Sequence, residues 1–375
     1  MATFLWFIVI FSVVVISHEF GHFLVAKSAG IGVKEFYVGF GPTLFHFKKG
    51  GTEFKWNLLP LGGACIFEGM DEFEVPGEAG TAADTAANTA PAGTAPESAG
   101  KTSPRGKSFL DASVWARFAT VIAGPVFNMI LGFIIAFVMV NMIAVRDPVA
   151  TQILPGSAAE SAGLKDGDRI ISMNGERIRL YDDIVLYTVL HEGEEIFLVY
   201  ERDGELGNTA LTPLYSEEYG RYMLGISNSD FIELKGLDFF RYTWYEMRYN
   251  LKMTWGSLGM LVRGKIGRED VAGPVGVAVN VVGETYEQTK AYGWQTVLVN
   301  MLNIALMLTV NLGILNLLPV PALDGGRLLF VLIEMVRGKP VPREKEAMIH
   351  FIGTMLLLVL VVFIFFNDLR NIFWK

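Results

Sequence analysis

The chain has a single cysteine, Cys65, among its 375 residues. One thiol excludes an intrachain disulfide framework and a zinc site built from cysteines. Charge is sparse: Asp, Glu, Lys and Arg make up 19% of the residues, the formal net charge is −8, and no Lys/Arg run occurs. That balance argues against nucleic-acid binding. The N-terminus lacks the basic start and small-residue cleavage site of a signal peptide, so its first apolar run is expected to persist as a helix. No internal repeat is found, which counts against a transporter built from inverted repeats. Glu78–Lys107 contains no large apolar residue. It cannot bury a core and is expected to be a disordered insert, with no chemistry assigned to it.

Apolar residues, by contrast, make up 51% of the chain. Thr3–Ala26, Phe118–Val145, Val297–Leu323 and Ala347–Phe366 are each long enough to cross a bilayer as a helix. Between the first two, Val33–Val38 and Thr52–Asn57 read as short strands with Gly39, Gly41, Pro42, Gly50 and Gly51 at the bends. Leu58–Gly63 is apolar but too short and broken to span. The expectation is a β-hairpin that dips back toward the membrane, whose strand edge could pair with an extended peptide; an ordinary surface hairpin has the same pattern. Arg146 to about Asp230 reads as a soluble domain of short strands and turns such as Arg202-Asp203-Gly204. Gly236–Lys265 interleaves aromatic residues with Arg241, Arg248 and Lys252, which suits a helix lying in the membrane interface, a helix of the soluble domain being the alternative. The expected fold class is therefore a polytopic α-helical membrane protein with four transmembrane helices, a membrane-associated β-hairpin and an inserted α/β domain.

Within the first span lies His18-Glu19-Phe20-Gly21-His22. Two imidazoles four residues apart share a helix face and can hold one Zn²⁺, and Glu19 sits beside the metal where it can take a proton from water. At about 1.5 Å per residue from Phe4, His18 lies roughly 21 Å in, near the far edge of a ~30 Å core. Ionisable groups there mark a functional site by default, the bland alternative being a satisfied polar cluster between helices. The third span ends in Asn316-Leu317-Leu318-Pro319-Val320-Pro321-Ala322-Leu323-Asp324-Gly325-Gly326-Arg327. Pro319 and Pro321 remove backbone donors and break the helix just before Asp324. A carboxylate there could complete a zinc site or merely terminate a helix. In the second span, Gly124, Pro125 and Asn128 must face protein rather than lipid.

Charge sets the topology. Lys and Arg are absent before the first span but gather in 27–117 and again between Arg327 and Lys345. The positive-inside rule makes both segments cytoplasmic and places the soluble domain outside. Spans one and three then both run inward, with His18, His22 and Asp324 at similar depth near their inner ends. Two His and one Asp leave a fourth zinc position open, as a catalytic site needs.

Leu154–Asn174 with Gly175, and above all its Gly-x-x-x-Gly-Asp-x-Ile-x-x-x-Asn-Gly run, resembles the PDZ fold, whose sheet edge accepts a peptide strand. Over nearly its whole length the chain resembles the site-2 proteases, intramembrane zinc proteases, in their bacterial branch that cleaves anti-sigma factors and remnant signal peptides. The resemblance rests on His18–His22, Leu61-Gly62-Gly63, Ala123–Asn128, the PDZ-like segment, Gly273–Gly276 and Asn316…Pro319…Pro321…Leu323-Asp324-Gly325. It implies zinc held by His18, His22 and Asp324, with Glu19 as catalytic base and acid. It also implies substrate contacts from Asn316 and the stretch through Pro319 and Pro321, and a hairpin, with Gly62 and Gly63, that holds substrate as an added strand. The PDZ-like domain would admit only single-pass substrates already trimmed by another protease. One such domain stands where some relatives have two. The implied segments are 1–29 first span, 30–74 hairpin, 75–108 insert, 109–146 second span, 147–232 PDZ-like domain, 233–292 interfacial helix and linker, 293–327 third span, and 328–375 fourth span and tail. The implied location is the bacterial inner membrane with the active site near the cytoplasmic face. A membrane-anchored PDZ adaptor with an inactive metal motif is the competing reading; it predicts neither turnover nor a zinc requirement.

Overall fold

The computed structural model describes residues 2–70, 106–143, 145–265, 267 and 271–373. In chain order it contains helix α1 (Ala2–Ser28), strands β1 (Val33–Lys49) and β2 (Thr52–Phe67), helix α2 (Val114–Met142) and strand β3 (Gln152–Ile153). Then come α3 (Ala158–Ser161), β4 (Arg169–Met173), β5 (Glu176–Arg177), α4 (Tyr181–Leu190), β6 (Ile196–Arg202) and β7 (Glu205–Leu211). Short strands β8 (Leu214–Ser216), β9 (Arg221–Met223) and β10 (Ile226–Ser227) precede helix α5 (Asp238–Val262). The helical turn α6 (Pro274–Gly276) leads through a π-helical stretch, Val277–Gly283, into α7 (Glu284–Thr289). Helices α8 (Trp294–Leu317), α9 (Asp324–Arg337) and α10 (Arg343–Phe373) complete the chain. Among the described residues four helices, α1, α2, α8 and α10, are long and apolar enough to cross a membrane.

Each of the four expected segments is thus a helix fit to span, with different ends. The third stops at Leu317 rather than Leu323, because Pro319 has no N–H and disfavours helical backbone in the residue before it. The second stops at Met142 rather than Val145, and Val145 instead bridges to Ile232. Of the expected insert, residues 78–105 lie outside the described residues. Lys107 at its end is built into the fold, bridging to Ile31 and exchanging backbone bonds with Gly30 and Gly32.

The chain forms two compact units. The first comprises Met1–Ile130, Ala272–Gly283 and Leu312–Lys375. Helix α1 is apolar all round, yet its buried residues Phe7, Ile10, Val14, Val15, His18, Gly21, His22 and Ala26 recur every three or four positions. That spacing is one helix face, and Phe4, Leu5, Val9, Val13, Phe20 and Leu24 are exposed on the other. At Gly21 the face meets α2 with no room for a side chain: a Cβ there would lie 2.5 Å from the Ala123 carbonyl oxygen.

Strands β1 and β2 are longer than the expected hairpin and pair antiparallel from Lys49 opposite Thr52 up to Phe40 opposite Leu59. Beyond the bends, Val33, Phe36 and Val38 also lie opposite Phe67, Cys65 and Gly63, while Phe36 and Val38 lie opposite Phe54 and Trp56. The ribbon is therefore folded back on itself into four rows, with 33–38 flanked by 63–67 and 53–56. A chain of rings fixes this sheet to α1, Phe23 meeting Phe36 and Phe54 at 5.6 and 5.5 Å between centroids. Phe40, Leu44, Phe45, Phe47, Trp56, Leu58 and Leu59 are exposed.

At the opposite end of α10, buried Asp368 accepts hydrogen bonds from the Gly273 and Gly276 N–H groups at 2.9 and 2.8 Å. It caps the start of α6 from another helix and satisfies donors that have no intrahelical partner. Asp368→Ala strands both donors away from water and should cost on the order of 2–5 kcal/mol, with Asp368→Asn costing less. Thermal unfolding in detergent tests this, and an unchanged midpoint for Asp368→Ala would remove the capping role.

The second unit comprises Leu131–Val271 and Glu284–Asn311. Its sheet has the order β5-β4-β6-β7, all neighbours antiparallel. Tight turns join the outer pairs: Asn174 and Gly175 at φ 46° and 80°, and Asp203 and Gly204 at φ 53° and 84°. Positive φ at both central residues is what a two-residue hairpin turn requires. Ile170, Met173, Ile184, Ile196, Leu198 and Leu211 form the core beneath it. Asp168 is fully buried and accepts from Arg202 Nε and Nη2, each at 2.7 Å. Helix α5 buries Thr243, Met247, Asn250 and Thr254 on one face and exposes Phe240, Trp244 and Trp255. Arg248 ties it to Asp183 of α4 at 2.7 Å.

Candidate metal centre

The buried face of α1 carries His18 and His22 one turn apart, so their rings project together. Their Nε2 atoms are 3.2 Å apart. The Asp324 side chain reaches the same point from the first turn of α9, with Oδ2 3.0 Å from His18 Nε2 and 3.2 Å from His22 Nε2. The break predicted at Pro319 and Pro321 lets the chain stop α8, turn, and present Asp324 where a continued helix would have carried it past. These three residues are the group of potential metal ligands found among the described residues.

Partners behind the rings fix their orientation. His22 Nδ1 lies 2.8 Å from the Thr120 carbonyl oxygen, to which it donates, leaving the Nε2 lone pair free for a metal. His18 Nδ1 lies 3.2 Å from the Asn128 side-chain amide. With that amide oriented oxygen-first, it accepts the Nδ1 proton in the same way. Both imidazoles are buried, at 6% and 7% exposure, so water cannot reorient them. Gly124 of α2 faces the rings directly; a Cβ there would sit 2.3 Å from His22 Nε2 and 2.8 Å from His18 Cε1. The pocket exists because this position has no side chain.

The donors fit zinc. Bonds of about 2.0–2.1 Å at tetrahedral angles place ligand atoms roughly 3.3–3.4 Å apart, close to the observed triangle, and two imidazoles with one carboxylate form an established catalytic donor set. Glu19 is outside the triangle. Its carboxyl accepts a backbone hydrogen bond from Cys65, and His22, His18 and Asp324 are the groups that act on it electrostatically.

The expected substrate-contact residues are distributed unevenly. Gly63 is brought to the centre: a Cβ there would lie 3.4 Å from Glu19 Cγ and from Val15 Cγ1. Gly62, at φ 86°, faces the Phe40 ring instead. Asn316 is half-buried near the end of α8, and Pro319 is exposed in the turn that follows. Pro321 packs against Gly353 of α10. Thr120 and Cys65 were not expected from the sequence, because they act through backbone atoms. Gly124 was expected only to face protein.

Comparison with known proteins gives the family. The model of Peptidase family M50 matches residues 6–360. The zinc metalloprotease RasP of Geobacillus kaustophilus is 33% identical over 98% of this chain and 97% of its own length. The regulator of sigma-W protease RasP of Bacillus subtilis is 32% identical over 98% of each chain. Among solved structures, the PDZ domain of an SdrC-like protein from Listeria monocytogenes covers 24% of this chain and 94% of its own at 17% identity; its TM-score of 0.21 carries no argument. With a match of that extent around an intact His-His-Asp triangle and its adjacent glutamate, the chain belongs to Peptidase family M50 and is a zinc metalloprotease.

Proposed function

We propose that the protein hydrolyses peptide bonds within membrane-spanning segments of single-pass membrane proteins. The observation that carries this reading is the 3.0–3.2 Å triangle of His18, His22 and Asp324 with Glu19 beside it, two of its three ligands on a helix fit to span a membrane. Zinc, when bound, supplies Lewis acidity toward a scissile carbonyl and toward water. His18, His22 and Asp324 hold it, and Thr120 and Asn128 keep the imidazoles in the coordinating orientation. Glu19 takes the proton from water and passes it to the leaving nitrogen. A helical substrate hides its carbonyls in internal bonds, so it must unwind before attack. The row 63–67 supports a way to hold the unwound form. Among the described residues it pairs with 33–38 on one side only, and Gly63 brings its backbone up to Glu19. Asn316 and Pro319 beside the broken end of α8 are the further contacts in this reading.

The exposed aromatic and aliphatic residues of the sheet favour contact with lipid, and the one-sided apolar pattern of α5 favours the interface. On the positive-inside reading the metal centre lies near the cytoplasmic face of the bacterial inner membrane. Residues 147–232 then form a PDZ-like domain outside, which admits substrates already shortened by another protease. The name of the Bacillus subtilis relative, regulator of sigma-W protease, favours anti-sigma factors as one substrate class.

Purified protein in detergent should cut a tagged single-span substrate, lose the activity on chelation and regain it with zinc. Asp324→Ala should be inactive throughout. Cleavage that survives chelation would end the metalloprotease reading of this site.

A further inference from the structure

Asp324 reaches the triangle from the turn 318–323, and the backbone of that turn is strained. Ala322 has φ 79°, the left-handed region that a residue with a Cβ rarely occupies, two positions before Asp324. Such a conformation persists only where its surroundings hold it, and here the hold comes from α10. The Ala322 N–H donates to His350 Nδ1 at 3.2 Å. Three residues further along α10, Gly353 admits the turn itself: a Cβ there would lie 2.2 Å from Pro321 Cβ and 2.9 Å from the Pro321 carbonyl. Beyond Asp324, Phe330 of α9 rests on the His350 ring at 5.4 Å between centroids. The imidazole thus touches the Asp324-bearing segment on both sides of the ligand.

We propose that His350 is a positioning residue of the metal centre, fixing the turn that aims the Asp324 carboxylate. The inference rests on reading Asp324 as a zinc ligand. Accepting the Ala322 N–H requires a lone pair on Nδ1, so the neutral ring carries its proton on Nε2. Nε2 is buried with no hydrogen-bond partner among the described residues, and so offers no competing anchor that would rotate the ring. Without the acceptor, Ala322 relaxes toward an ordinary right-handed conformation. Asp324, two residues further on, then swings off the two imidazoles.

Asparagine places an oxygen close to the position of Nδ1, whereas glutamine reaches toward Nε2. His350→Asn should therefore keep kcat within about threefold of the wild type. His350→Gln and His350→Ala should lower kcat and zinc affinity about 10–100-fold, the usual loss for a group behind a metal ligand, with KM nearly unchanged. The measurements are cleavage of the tagged single-span substrate by full-length protein in detergent and zinc competition against a chelator. A purely structural role would move unfolding temperature without separating Asn from Gln. An Asn variant as impaired as the Ala variant overturns the proposal. Gly353→Ala leaves His350 in place and pushes on Pro321; the same loss in kcat is expected, and unchanged kcat and zinc affinity would also overturn it. Asp324→Ala run alongside separates the two readings. If it keeps zinc and activity, the metal centre is misassigned. If it loses both while every His350 variant matches the wild type, only the positioning role falls.

Discussion

Glu19→Gln should bring cleavage down by about 10²–10⁴-fold while leaving one zinc per chain. The magnitude is that of removing a general acid–base group, since an amide can neither accept the proton of water nor return it to the leaving nitrogen. Zinc should remain because the donor triangle is formed by His18, His22 and Asp324 alone. The local fold should remain as well, since the carbonyl of the introduced amide can still accept the Cys65 N–H that now binds the Glu19 carboxyl. Metal analysis of the purified variant beside its turnover of a single-span substrate checks both halves. Normal turnover would remove Glu19 from the chemistry, and loss of zinc would make it part of the metal site.

Gly124→Ala should have an effect as large by a different route. The added methyl would lie 2.3 Å from His22 Nε2, inside any tolerable contact, and neither side can yield readily. Gly124 lies in a buried stretch of α2, and the His22 ring is pinned by its bond to the Thr120 carbonyl. The ring must leave the triangle, and zinc content should fall well below one per chain with cleavage down at least about 100-fold. Gly132→Ala on the same helix is the comparison. The nearest neighbours of its new methyl would be Thr309 Cγ2, Val310 Cγ2 and Met247 Cε at 3.3–3.4 Å, a far milder contact than 2.3 Å and remote from the metal ligands. Full zinc occupancy in Gly124→Ala would mean that the donor geometry differs from the one described.

What the sequence revealed and what it concealed follow from the physics of each feature. The four long apolar helices were legible because a bilayer demands some twenty apolar residues in a row. The meeting of His18 and His22 was legible because four residues is close to one helical turn, which brings two metal-binding atoms to one face. Asp324 was only half legible: two prolines announce the break before it, but an aspartate that merely starts the next helix writes the same pattern. The end of the third helix was misplaced because hydropathy continues through Leu323 while the backbone stops at Leu317. The return of residues 63–67 alongside 33–38 was hidden because pairing at that range depends on bends at several glycines together. Cys65 and Thr120 were invisible as participants because a backbone N–H or carbonyl is the same in every residue. Gly124 was legible only as a position that faces protein: the absence of a side chain matters only once another element, here the two imidazoles, is packed against it.

The metal triangle joins residues 302 positions apart, His22 and Asp324. A ribosome adding about 5–20 residues per second completes the histidine pair about 15–60 s before it makes the aspartate. During that interval α1 already carries both imidazoles and the glutamate, but the third donor does not yet exist. A growing chain therefore has an incomplete ligand set. The triangle can close only once the turn after the third long helix has been made, so the order of synthesis delays the site until most of the chain exists.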